Sequence, residues 1–235
     1  MKRQDSPPLQ ESTISAYGMQ RRNMLKFAGA SAALITIGSA CKKDSTSNGG
    51  INLGSGDVGI LNYAYALEQL EAAFYSKVVA SPYSGMSALE AEYMTDIRNH
   101  EVAHREFFKA AITAAAPASI IPGLEVNFSS IDFTSRTSVL NTAMAFEDLG
   151  VSAYNGAGQL LTTSGNGTVY LGLAGKIVSV EARHAALIRD LISNGTFANS
   201  TDANGLDVPV RTPAQVLAIA STYLVSKLDA SNLPS

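Results

Sequence analysis

Two pairs of segments in this 235-residue sequence repeat each other. Residues 61–75 and 140–154 lie 79 positions apart and share seven identities in fifteen. A second pair follows at an offset of 80, where residues 101–104 read Glu-Val-Ala-His and residues 181–184 read Glu-Ala-Arg-His. Self-similarity at a fixed offset indicates one supersecondary unit that occurs twice and packs against its copy.

The repeated unit has the pattern of a helical hairpin. Apolar residues recur at three- and four-residue spacing, and start signals such as the capping-box spacing at Ser87 precede them. The predicted helices span residues 57–80, with Asp57 as the N-cap, 88–116, 135–161 and 168–193. A loop of about 18 residues joins the second and third helices. The sequence therefore predicts an all-α, antiparallel four-helix bundle over residues 57–195. An extension over residues 196–235 adds one helix from Thr212 to about Ser226.

The spacing of the polar residues inside the repeat points to a metal site. Residues three apart on a helix lie about 60° apart around its axis, so Glu-x-x-His brings a carboxylate and an imidazole to one point. Four ionised carboxylates in a core are costly unless they share protons or bind cations, and two divalent cations balance their charge. Carboxylate and imidazole donors together suit iron or manganese. The single cysteine, Cys41, lies outside the repeat.

One Glu from each of two helices and Glu-x-x-His from each of the other two is the pattern of di-metal carboxylate bundles. On these motifs, residues 57–195 resemble the ferritin-like superfamily, including its desiccation-related group. The resemblance implies two iron ions, or iron and manganese, with ferroxidase- or peroxidase-like oxidation of ferrous iron by oxygen or peroxide. It carries over six metal ligands: Glu68, Glu101, His104, Glu147, Glu181 and His184. The alternative is a non-enzymatic stress or envelope-associated binding protein with little or no bound metal.

Four further residues near these motifs carry alternatives. Tyr75 and Tyr154 each follow a ligand Glu by seven residues and are interpreted either as hydrogen-bond donors to the ligands or as core aromatics. Glu71, whose repeat partner is Gly150, is expected to be structural or an auxiliary carboxylate. His100 precedes Glu101 and is expected to point about 100° away from the ligand face, toward a helix boundary or solvent.

Residues 100–104 also spell His-Glu-x-x-His, the zinc-protease motif, with Glu125 as a nominal third ligand. The repeat argues against this interpretation, because Val180 stands where the second copy would need His100. Glu125 also follows two prolines in a predicted loop. The shared element is therefore Glu-x-x-His.

The first 56 residues are predicted to be an export signal and a linker. Residues 27–40 form an uncharged apolar run, too short to span a membrane and typical of a signal peptide. Arg21 and Arg22 precede it and resemble a twin-arginine signal. The predicted signal covers residues 1–40, and Cys41 directly after it is a candidate lipid-attachment residue; ordinary cleavage after Ala40 is the alternative. Residues 41–56 are predicted to form a flexible linker. We expect the protein to be located in the periplasm or cell envelope, with a membrane tether through Cys41.

Charge excludes one class of partner. The chain carries 17 Lys and Arg against 20 Asp and Glu, and removal of residues 1–40 would leave 12 against 18. A protein that binds nucleic acid through phosphate contacts needs a basic excess. No nucleic-acid partner is therefore expected, and the oligomeric state stays open.

Overall fold

The computed structural model describes residues 49–199, 201, 205 and 207–235. The predicted export signal and Cys41 lie outside these residues. The five α-helices of the described part are α1 (Gly56–Ala80), α2 (Ala88–Ala115), α3 (Arg136–Ala157), α4 (Asn166–Ile192) and α5 (Pro213–Ala220). Two short parallel strands, β1 (Ile51–Asn52) and β2 (Leu228–Asp229), pair with each other. This confirms the prediction of an all-α bundle with an additional C-terminal helix.

Helices α1 and α2 form one hairpin, and α3 and α4 form the other. The capping box predicted at Ser87 is present: its hydroxyl accepts the N–H of Glu90, whose carboxylate accepts the N–H of Ser87. Helix α1 is the most central element, since its residues from Gly59 to Tyr75 are buried except for Ala73. A helix enclosed on all sides needs neighbours around it, which the second hairpin and the crossover supply.

The connection between α2 and α3 is fastened to α1 by two buried amide side chains. Asn62 donates to the carbonyl of Ser119 at 2.7 Å and accepts the N–H of Ile121 at 3.2 Å. Gln69 accepts the N–H of Leu124 at 2.8 Å. These bonds satisfy polar groups that would otherwise be buried without partners, and they hold the crossover along the bundle.

The start of α1 differs from the prediction. Ser55 occupies the N-cap position, and Asp57 lies in the first helical turn. The Asp57 carboxylate instead accepts hydrogen bonds from the N–H and hydroxyl of Thr162, at 2.8 and 2.6 Å. Asp57 therefore joins the two hairpins at this end of the bundle, a tertiary contact that a local capping pattern does not reveal.

Two predicted boundaries need correction. The C-terminal helix ends at Ala220 and not near Ser226, because the backbone of residues 223–225 turns away to hydrogen-bond with the crossover at Glu125 and Asn127. The predicted linker stops before Ile51, whose N–H donates to the carbonyl of Lys227 at 2.8 Å. Among the described residues, none of the helices combines the length with the apolar composition that a membrane span requires.

Candidate metal centre

The six predicted ligand residues converge in the interior of the bundle. One glutamate comes from α1, one from α3, and a Glu-x-x-His pair comes from each of α2 and α4. The four glutamates have no solvent exposure. The side chains of the histidines His104 and His184 are 12% and 5% exposed. A group of four carboxylates and two imidazoles at this depth is costly unless its charges are balanced locally.

These six residues form two overlapping clusters. Within each cluster, one ligand atom from every residue lies within 4.8 Å of the others. The first cluster is Glu68, Glu101, His104 and Glu181, and the second is Glu101, Glu147, Glu181 and His184. Glu101 and Glu181 belong to both, which is the arrangement expected of carboxylates that bridge two cations. Each cluster could hold a metal ion.

The two imidazoles meet the carboxylates in matching ways. His104 Nδ1 lies 2.9 Å from Glu181 Oε1 and 3.4 Å from oxygens of Glu68 and Glu101. His184 Nδ1 lies 2.8 Å from Glu101 Oε1 and 3.4 Å from Glu147 Oε2. Each histidine therefore makes its shortest contact with the glutamate of the other hairpin. The pseudo-twofold symmetry of the repeat is preserved at the site.

Most of these donor atoms have no well-directed hydrogen bond. Twelve buried side-chain nitrogen and oxygen atoms of the described residues lack a hydrogen-bond partner, and eight of them belong to the six clustered residues. They include both oxygens of Glu101, both oxygens of Glu181 and Nδ1 of each histidine. Native proteins leave few buried polar atoms without a partner. The concentration of such atoms at one point fits a cation-binding site.

Two tyrosines hold the outer oxygens of the terminal glutamates. The Tyr75 hydroxyl donates to Glu147 Oε1 at 2.5 Å, and the Tyr154 hydroxyl donates to Glu68 Oε1. Each tyrosine therefore donates its hydrogen bond to the glutamate of the other repeat. Burial, followed by the charge of the neighbouring glutamate, raises the pKa of both phenols well above its usual range, which keeps the phenols protonated as donors.

The ionisation of the cluster reflects burial and crowding. Burial is the main cause that raises the pKa of Glu147 to about 8 and moves the pKa of Glu68 well above its usual range. Burial also opposes ionisation of Glu101, but its close contacts with the two histidine rings outweigh burial and lower its pKa to about 2. For His104 and His184, contacts with the carboxylates outweigh burial and raise each pKa to about 12. In the metal-free state, protons therefore balance the carboxylates, and cations would compete with them.

Glu71 is a further buried carboxylate beside the cluster, and its position explains a glycine. It is 4% exposed, and its Oε2 has no hydrogen-bond partner in the described part of the chain. A Cβ atom added at Gly150, its repeat partner, would lie 3.1 Å from Glu71 Oε1 and 3.8 Å from Glu181 Oε2. The absence of a side chain at Gly150 in the second repeat therefore leaves space for the Glu71 carboxylate of the first repeat. Glu71 belongs to neither ligand cluster.

His100 differs from its prediction. The residue is exposed, yet its Nδ1 lies 2.8 Å from Nε2 of His184, and the two rings are nearly parallel with centroids 5.1 Å apart. The helical position does turn His100 away from Glu101, but it turns it toward α4. Glu125 is exposed on the crossover, with its backbone paired to Val225. His100 and Glu125 thus do not join His104 in a zinc-protease site.

A surface cleft reaches the first cluster. It has a volume of about 260 Å³, is mainly apolar, and lies between α2 and α4. Its lining includes His104, Phe107 and Lys176. The side chain of His104 therefore forms part of the wall between the cluster and the surface.

Comparison with known proteins agrees with this architecture. Residues 56–194, which include all four long helices and all six clustered side chains, match the family described as Ferritin-like domain. A comparison with curated proteins finds no significant match. Because the family match covers more than half of the sequence, the chain belongs to the ferritin-like domain family.

Proposed function

We propose that this chain is a di-metal carboxylate protein that binds two iron ions, or iron and manganese, in the bundle core. The observation that carries the proposal is the pair of overlapping clusters that share Glu101 and Glu181. Glu68 and His104 would complete one position, and Glu147 and His184 the other. Oxygen and imidazole donors suit iron and manganese, and no Cys lies in the described part of the chain.

We propose further that the site oxidises ferrous iron with oxygen or peroxide. Bound iron would supply the one-electron redox chemistry, while the protein controls ligand position and protons. With peroxide as the oxidant, the overall reaction would consume two ferrous ions, one peroxide molecule and two protons, and would yield two ferric ions and two water molecules. Tyr75 and Tyr154 would keep the terminal carboxylates oriented while the iron charge changes.

The cleft beside His104 supports an entry route for small reactants. His104 lines this opening between α2 and α4, whereas the four glutamates have no exposed surface. Its apolar lining suits a small neutral molecule such as oxygen or peroxide. Ferrous ions entering here would meet His104 before the bridging carboxylates.

The test combines metal analysis with an iron-oxidation assay on the full chain. The proposal predicts about two metal ions per chain after iron supplementation, and oxygen consumption on addition of ferrous iron. Glu147→Gln removes a fully buried carboxylate and should abolish oxidation. Glu106→Gln changes a glutamate on α2 that is 51% exposed and should leave oxidation unchanged.

Two outcomes would separate the alternatives. Fewer than about half a metal ion per chain would refute the metal assignment and favour the non-enzymatic binding protein. Two bound ions without oxygen or peroxide consumption would retain metal binding and refute the oxidase. Equal oxidation rates in the Glu147→Gln and Glu106→Gln variants would place the reaction elsewhere.

We also propose that the protein is exported to the periplasm or cell envelope. The support is the sequence of residues 21–41 alone, with its paired arginines, short apolar run and terminal Cys41. Mass spectrometry of the mature chain from its native host distinguishes the two processing routes. An acylated Cys41 at the N-terminus would indicate a lipid anchor, an unmodified Cys41 would indicate cleavage after Ala40, and an intact Met1 would refute export.

A further inference from the structure

The two histidines of the centre differ in what holds their outer nitrogen. His184 directs Nδ1 toward the carboxylates, and its Nε2 lies 2.8 Å from Nδ1 of His100. The two rings are inclined by only 15° and their centroids lie 5.1 Å apart, which places the two nitrogens end to end, as a hydrogen bond between imidazoles requires. The ring of His184 is therefore fixed from both sides.

In one of its two directions, this hydrogen bond leaves His184 in the form that can bind a cation. A neutral imidazole carries one N–H group and one lone pair. When Nε2–H of His184 donates to Nδ1 of His100 and a cation displaces the inner proton, the lone pair of His184 is on Nδ1, which faces the carboxylate cluster. Outer hydrogen bonds of this kind orient a metal-binding histidine and strengthen its interaction with the metal.

His104 has no equivalent support. The residue that corresponds to His100 in the second repeat is Val180, which offers no hydrogen-bonding side chain. Among the described residues, no side chain hydrogen-bonds to Nε2 of His104, and the ring lines the surface cleft. His104 is also the more exposed of the two, at 12% against 5% for the His184 side chain.

We propose that His100 is a positioning residue for His184 and makes the two metal positions unequal. The His184 position would bind its ion first and more tightly, and the His104 position would hold the exchangeable ion next to the cleft. This inference rests on the proposed di-metal function. It assigns a role to an exposed residue that the ligand motif does not include.

The test is an anaerobic Mn²⁺ titration of the full chain, followed through the electron paramagnetic resonance signal of free Mn²⁺. The wild-type chain should bind one ion tightly and a second more weakly. His100→Ala should weaken the tight step by about 10- to 100-fold and leave the weak step unchanged. His100→Gln, whose side-chain oxygen can accept the same bond, should recover most of the loss.

Three further variants make the result specific. Asn99→Ala changes the exposed neighbour of His100 on α2 and should alter neither step. His184→Ala should remove the tight step, and His104→Ala should remove the weak one. Because His100 is exposed, its replacement leaves no core cavity, and circular dichroism should show an unchanged helix content.

The inference fails separately from the proposed function. Two ions bound with equal affinity, an unchanged tight step in His100→Ala, or loss of the tight step in His104→Ala would overturn the role of His100. Any of these results would retain the di-metal centre. Absence of Mn²⁺ and Fe²⁺ binding to the wild-type chain would overturn both.

Discussion

Replacing Tyr75 with phenylalanine isolates one hydrogen bond of the centre. The change removes a hydroxyl that donates to Glu147 Oε1 at 2.5 Å, and both side chains have no solvent exposure. The ring itself stays, so packing against Phe74 is preserved. Loss of a buried hydrogen bond to a charged acceptor costs about 1.5–3 kcal/mol. We expect Tyr75→Phe to lower the free energy of unfolding by this amount when Glu147 is ionised.

The effect of Tyr75→Phe should depend on pH. Burial raises the pKa of Glu147 to about 8 in the metal-free chain, so a large fraction of its carboxyl groups is protonated at pH 7. Loss of a donor that favours the carboxylate should raise this pKa further. The difference between wild type and variant should therefore grow as the pH rises from about 6 to 9. Urea unfolding followed by circular dichroism measures it.

Tyr63 provides the matched control. It also lies on α1 and is 1% exposed, but its hydroxyl has no hydrogen-bond partner in the described part of the structure. Tyr63→Phe removes the same atom and should leave stability unchanged or raise it by up to about 1 kcal/mol. Equal losses in the two variants, or a Tyr75→Phe loss that is independent of pH, would refute this account of the tyrosine.

Three more predictions concern the bundle. The metal-free chain should be less stable at pH 9 than at pH 6 in urea titrations. The elevated pKa of Glu147, about 8, contributes stability that is lost as the pH rises from about 4.5 to 8. The two buried imidazoles, with pKa values of about 12, contribute stability that is lost as the pH rises above 6.5. A rise in stability between pH 6 and pH 9 would contradict the assignment. Gly150→Ala should stabilise a Glu71→Ala background by about 1 kcal/mol through helix propensity. It should not stabilise the wild type, where the new methyl group would lie 3.1 Å from Glu71 Oε1. Equal effects in both backgrounds, measured by thermal unfolding, would exclude this coupling. Asn62→Ala should cost about 2–3 kcal/mol in urea unfolding because it releases the crossover, and a loss below about 0.5 kcal/mol would show that those hydrogen bonds do not anchor it.

The long helices follow from signals that are local in sequence. The spacing at Ser87 predicts the start of α2 because a capping box is formed by residues only three apart. The internal repeat extends this reasoning to the site, since two copies of one hairpin packed together bring matching residues to one axis. The convergence of Glu68 and Glu147 with both Glu-x-x-His pairs follows from this symmetry.

The features that the sequence did not reveal depend on neighbouring elements. The direction of His100 on its own helix is as expected, but the periodicity of α2 carries no information about the ring that α4 places there. Asp57 has the residue type of an N-cap, whereas its carboxylate bonds to Thr162 on the other hairpin. The C-terminal helix ends early because backbone groups near Tyr223 pair with the crossover. Each difference is a tertiary contact that overrides a local preference.

The pair of cations in the core is tested most directly by diffraction from metal-loaded crystals at the iron and manganese absorption edges. The account predicts two anomalous peaks about 3.5–4 Å apart, both in contact with Glu101 and Glu181. One peak should also contact Glu68 and the other Glu147. A core without anomalous signal in iron-loaded protein, or peaks only at surface carboxylates, would contradict it.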